Sequence, residues 1–161
     1  MSEDILCKIY IDLPNHWAAG GESLWAESLG DDLYKVENIP FFAYGLNFHD
    51  IVLATSDSPE LKPEVHKVVK QSGHRTLRVS FKEHINGDQQ EEYLNSMTNF
   101  SISYERANSI YFALDIESEG SYNDVYDRLD ELQKQEVLEF ETCEARVEGS
   151  FDSVLEEEDS K

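Results

Sequence analysis

The sequence predicts an α+β protein: a small N-terminal β-barrel-like half over residues 1–72, packed on a C-terminal ferredoxin-like (βαββαβ) half over 73–148, with an acidic tail at 149–161. Three observations predict it. Short strand-like runs separated by turn signals fill the chain before Gly73. After it, apolar periods of about two and 3.6 alternate in the order strand, helix, strand, strand, helix, strand. Between the two stretches there is no run rich in Pro, Gly or Ser, so the halves are expected to meet directly rather than through a flexible tether.

In the first half, "ILCKIYIDL" (Ile5 to Leu13) sets Lys8 and Asp12 against Ile9 and Ile11, a half-buried strand that Pro14 and Asn15 end. Glu22 to Leu29 and Leu33 to Asn38 read as a hairpin: Leu24, Ala26 and Ser28 alternate with Trp25, Glu27 and Leu29, and "GDD" supplies the turn. Asp50 to Ser56 gives a fourth strand. Pro63 to Gly73 gives a fifth, with Val65, Val68 and Val69 apolar. Five short strands with both edges open invite pairing with other chains, and curling into a barrel removes the edges.

The stretch "NIPFFAYGLNFHDIV" (Asn38 to Val52) belongs at the end of such a barrel. Pro40 fixes the chain as it leaves the third strand and Gly45 allows a bend, so Phe41, Phe42, Tyr44 and Phe48 turn back over the barrel as a plug. Each ring buried there contributes on the order of 2 kcal/mol. The alternative keeps Phe42 and Tyr44 exposed as anchors for a partner.

In the second half, "HRTLRVSFKE" alternates Leu77, Val79 and Phe81 against Arg78, Ser80 and Lys82. A helix follows, with Asp88 expected as its N-cap and Tyr93, Leu94, Met97 and Phe100 along one face. "SISYERANSIYFALDIES" is two strands about a turn at Ala107 and Asn108. "SYNDVYDRLDELQKQ" is the clearest helix, with Ser121 expected to cap it and Tyr122, Val125, Tyr126, Leu129 and Leu132 in one stripe. Val137 to Val147 is the last strand. Beyond it the periodicity fades into "EEED", the mark of a frayed tail.

At 40% hydrophobic and 11% aromatic residues, the composition is that of a chain that folds. Its 13 Lys+Arg stand against 34 Asp+Glu, a net charge of -21. Such a field repels phosphate polyanions and anionic membranes and speeds encounter with basic proteins. It excludes direct nucleic-acid binding and a membrane surface as expected partners and favours a basic protein; the plainer role for the charge is solubility. Cys7 and Cys143 stand far apart with no metal-ligand spacing, and the acidic N-terminus carries no basic-then-apolar leader. The expectation is a cytoplasmic protein with two reduced thiols, a disulfide between them being the alternative.

"ESLWAESLGDDLYKVENIPFFAYGLNFHDIV" followed by "SGHRTLRVSF" resembles a bacterial family of small acidic proteins known as a domain of unknown function. Glu22, Trp25, Glu27, Asn38, Pro40, Phe41, Tyr44, Gly45, Asp50, Gly73, His74 and Arg78 carry the resemblance. What it implies is a bacterial cytosolic protein, with no activity to transfer; proteins of this size and charge are often immunity partners of toxins, which is an analogy of class.

Two constellations remain as candidate sites. In "SGHRT", His74 beside Gly73 is a candidate base and Arg75 or Arg78 an anion holder, and the plain alternative is a turn with local hydrogen bonds. On the second helix, Asp124, Asp127 and Glu131 fall together opposite the apolar stripe, diluted by Arg128 and Lys134 expected to pair with Asp124 and Asp130. None of the 5 histidines stands at HxH or HExxH spacing, and "AAGGES" lacks the lysine of a phosphate loop, so no metal or other cofactor is expected. Aromatics on the second sheet, Tyr104, Tyr111 and Phe112, suit RNA stacking, but the surrounding carboxylates oppose it. The expected function is therefore non-catalytic binding of a basic protein, most concretely a cationic toxin, through Asp124, Asp127, Glu131, Phe42, Tyr44, His74 and Arg78. The alternatives are a small enzyme or ligand-binding module at Gly73, His74 and Arg78, and an acidic nucleic-acid mimic or regulatory adaptor.

Overall fold

The computed structural model describes residues 6–16, 19–117 and 121–153, so the strand start expected at Ile5 and the tail beyond Ser153 lie outside the described residues. The chain forms two compact units, one of residues up to Ser72 together with the segment from Glu144, the other from Gly73 to Cys143. The architecture is α+β, with a closed five-stranded barrel in the first unit and a four-stranded sheet with two helices in the second.

The barrel strands are β1 (Leu6–Asp12), β2 (Gly21–Gly30), β3 (Leu33–Val36), β4 (Ile51–Thr55) and β5 (Glu64–Lys70), paired in that order. A parallel bridge from Tyr10 to Glu64, with Tyr10 N–H donating to Pro63 O at 2.8 Å, closes the ring. Alternation decides which side chains enter: Ile9 and Ile11, Leu24 and Ala26, Val52 and Ala54 are buried together. The β2–β3 turn works because Gly30, Asp31 and Asp32 all adopt positive φ, which suits glycine and is tolerated by Asp.

Strand β5 departs from simple alternation. Its pairing with β4 skips Val69 and then His66, so Val65 and Val68, three apart, both turn to the core. Val69, apolar in the sequence, is left 51% exposed.

The second unit runs β6 (Arg75–Phe81), α1 (Gly87–Asn95), β7 (Ile102–Arg106), β8 (Tyr111–Ile116), α2 (Tyr122–Lys134) and β9 (Leu138–Thr142), with antiparallel sheet order β7-β8-β6-β9. Leu77, Val79 and Phe81 of β6 and Phe112, Leu114 and Ile116 of β8 share a core with Leu94 of α1 and Val125, Leu129 and Leu132 of α2. Side chains of the other parity point to the opposite face, among them Thr76, Arg78, Asp115 and Glu141.

Several local expectations are corrected. The α1 cap is Asn86, not Asp88: Asn86 and Gln89 close a reciprocal capping box, and Asp88 sits in the first turn. The helix stops at Asn95, and Met97 and Phe100 belong to a 3-10 turn at Thr98–Phe100 and its cap. Ser121 holds the N-cap position of α2, but its side chain makes no capping hydrogen bond. The last strand ends at Thr142 rather than Val147. Residues 149–153, expected in the frayed tail, pack into the first unit: Tyr44 N–H donates to Phe151 O at 2.9 Å and Asn15 N–H to Asp152 Oδ2 at 2.7 Å.

Candidate functional site

Most of the signature residues of the first unit build the corner between β3 and β4. Glu22, buried on β2, receives three backbone donors: Phe41 N–H at 2.6 Å, Phe42 at 3.0 Å and Ala43 at 2.9 Å. Three successive amides aimed at one carboxylate form an anion-holding concavity, filled here by the protein's own side chain. Asn38 Oδ1 accepts Trp25 N–H at 2.6 Å, and Asp50, also buried, accepts Asn47 N–H and Ser72 N–H at 2.8 Å each. Gly45 has φ +79°, and a Cβ there would stand 2.8 Å from Ala145 Cβ.

The corner is a plug. Tyr44 has no exposed surface, with His16 stacked at 5.6 Å on its ring and the Arg146 guanidinium 4.2 Å from its centroid. This removes Tyr44 from the expected surface anchors, since a ring with no exposed surface offers a partner nothing to grip. Phe42 is half-buried against the barrel core with His16 edge-on, and Phe48 stacks on His49 at 3.9 Å.

On the second sheet, His74 Nδ1 lies 2.9 Å from both oxygens of Asp115. Two acceptors on one ring nitrogen require that nitrogen to carry the proton, so the neutral ring keeps its lone pair on Nε2, the tautomer a general base or metal ligand needs. Arg78 is also buried, not on the surface, and its Nε donates to Glu141 Oε2 at 3.2 Å. Asp115 and Glu141, absent from the sequence-level candidates, lie 41 and 63 residues from their partners. The available signal for Asp115 was its place as the single charge in "YFALDI", a strand buried at all six positions. Among the described residues, no group of three or more His, Cys, Asp or Glu is placed to hold a metal ion.

Helix α2 presents Asp124, Asp127 and Glu131 on its exposed side. Arg128 pairs with Glu131 at 2.9 Å, not with Asp124 as spacing suggested, while Lys134 does pair with Asp130 at 3.1 Å. Burial pushes the Cys7 thiol up, away from the thiolate, and no disulfide joins Cys7 to Cys143. The Tyr34 phenol is also raised, first by burial and then by Cys7 and Asp32. At the exposed Lys82–Glu139 pair, a mutual hydrogen bond raises the amine and lowers the carboxyl.

A closed small barrel followed by a helix-backed antiparallel sheet, with a carboxylate-held corner in the first, defines a two-unit α+β class. The family model for the domain of unknown function DUF4265 matches residues 22–140, and the chain belongs to that family. A crystal structure of a hypothetical protein from Neisseria gonorrhoeae is similar in fold, with a TM-score of 0.73 at 16% identity, covering 89% of this chain and 97% of that one. No curated protein matches. Among the described residues, no helix is long and apolar enough to cross a membrane.

Proposed function

We propose that this is a non-catalytic binding protein of the immunity type, acting in a bacterial cytoplasm to neutralise a cationic toxin, for instance a nuclease, by covering its active surface with carboxylates. The observation that carries the reading is the net charge of -21, with Asp124, Asp127 and Glu131 solvent-facing on one helix. Half-buried Phe42 is the corner ring this reading retains as an anchor. The second unit is read as a ferredoxin-like fold, supported by its element order and the sheet order β7-β8-β6-β9. The basic protein that co-purifies from the native cell is the reagent for the test. Its association slows steeply as salt rises, and replacing Asp124, Asp127 and Glu131 by Lys weakens binding about tenfold or more. Unchanged affinity removes α2 from the interface.

One observation favours a second reading, an enzyme or ligand module: His74 has the orienting acid such chemistry requires. Complementation of a deletion strain separates the two. His74→Ala fails to restore function if the imidazole does chemistry, and full restoration ends that reading.

A further inference from the structure

Helix α2 carries two tyrosines one turn apart, Tyr122 and Tyr126, with ring centroids separated by 6.3 Å. Their surroundings differ. Over Tyr122 lies the guanidinium of Arg75, at the start of β6, with its carbon 3.6 Å from the ring centroid. That distance is well inside the range of a cation–π contact, so this flank already receives one arginine from its own chain.

Tyr126 repeats the same element one turn on and is 39% exposed. Phe140 of β9 packs roughly at right angles to it, centroids 5.2 Å apart at 82°, which holds the ring in place before anything binds. Asp130 follows at i+4, on the same side of the helix, its carboxylate 3.1 Å from Lys134 Nζ and its side chain 40% exposed. With Asp127 and Glu131 it lines a shallow depression that also holds the cations Arg128 and Lys134. Along α2 the carboxylates of Asp124, Asp127, Asp130 and Glu131 outnumber the cations Arg128 and Lys134. An aromatic face beside a surplus of carboxylates is complementary to a planar cation.

We infer that Tyr126, with Asp130 beside it, is the seat for an arginine side chain of a basic protein partner, so that this flank of α2 selects arginine over lysine. The inference deepens the acidic-docking reading above and rests on it. Carboxylates attract both lysine and arginine, and their bidentate fit to the guanidinium gives a preference that the ring variants leave in place. The ring adds further discrimination, because guanidinium is flat, weakly hydrated and stacks, whereas ammonium is compact and strongly hydrated.

The test uses hexa-arginine and hexa-lysine peptides, equal in charge, titrated into the whole protein and followed by calorimetry. The measured quantity is the ratio of the two affinities, which removes the general attraction of an acidic protein for any polycation. That ratio is about three times larger in the wild type than in Tyr126→Ala, and Tyr126→Phe keeps the wild-type ratio. Tyr126→Leu retains the apolar contact with Phe140 but offers no π face, so it must lower the ratio too, and it decides the matter if the alanine variant fails to fold. Equal ratios in the wild type and Tyr126→Leu overturn the inference. In the same titration, the Asp124, Asp127 and Glu131 to Lys variant weakens both peptides together. If it weakens neither while the ring variants still lower the ratio, the arginine seat stands and the acidic stripe falls.

Discussion

The corner of the first unit and the polar face of the second both bury carboxylates, but they turn them to different partners. Glu22 and Asp50 accept hydrogen bonds from backbone amides, and the Glu22 contacts span only 19 to 21 residues of chain. Asp115 and Glu141 instead meet the side chains of His74 and Arg78 across 41 and 63 residues. A carboxylate bonded to successive amides dictates a backbone path, since the amides cannot move without the chain. One bonded to a side chain dictates only a rotamer and a tautomer. The first unit therefore uses its acids as architecture, and the second uses them to orient an imidazole and hold a buried guanidinium.

The sharpest way to break that contrast is at Glu22. Replacing it with Ala leaves three neighbouring amides without their shared acceptor, and each buried donor left unmet costs about 1–3 kcal/mol. Water entering the gap restores part of this, so Glu22→Ala is expected to lower stability by about 3–5 kcal/mol, read from the midpoint of denaturant unfolding. Glu22→Gln keeps an acceptor oxygen in place and recovers part of the loss. If Glu22→Ala costs no more than about 1 kcal/mol, the carboxylate is not what holds the corner.

This division also decided what the sequence could disclose. Barrel strands announced themselves through alternation at Ile9 and Ile11 or Leu24 and Ala26, and the corner through Pro40, Gly45 and a run of rings, all local signals. The Asn86 and Gln89 capping box was equally local, written in "NGDQ", yet Asp88 two residues later drew the assignment because Asp is as good a cap in isolation. Asp115 was visible only as an oddity in an apolar strand; its meaning depends on the β6–β8 register, which puts Thr76 opposite it and His74 within reach. The closing role of Phe151 and Asp152 had no local signature, because the tail composition around them reads as solvated chain. Tyr44 was ambiguous for a different reason: aromatic rings at a bend serve as plug or anchor, and only the packing of His16 and Arg146 against it decides.

A smaller effect sharpens the comparison at Gly45, where the corner's path meets the returning C-terminal segment. Alanine at this position suffers twice: its Cβ meets Ala145 Cβ at 2.8 Å and Ala145 Cα at 3.1 Å, and φ +79° is a conformation that L side chains resist by roughly 1 kcal/mol or more. The expected loss for Gly45→Ala is about 2 kcal/mol. The two causes separate in a double variant, since Ala145→Gly removes the nearest atom but leaves the dihedral penalty untouched. Gly45→Ala with Ala145→Gly should therefore regain about half of the stability lost, measured against Ala145→Gly alone. Full recovery would mean the backbone relaxes freely at the bend. A corner whose amides are fixed on Glu22 forbids that freedom, so the size of the residual penalty measures how firmly the carboxylate holds the path.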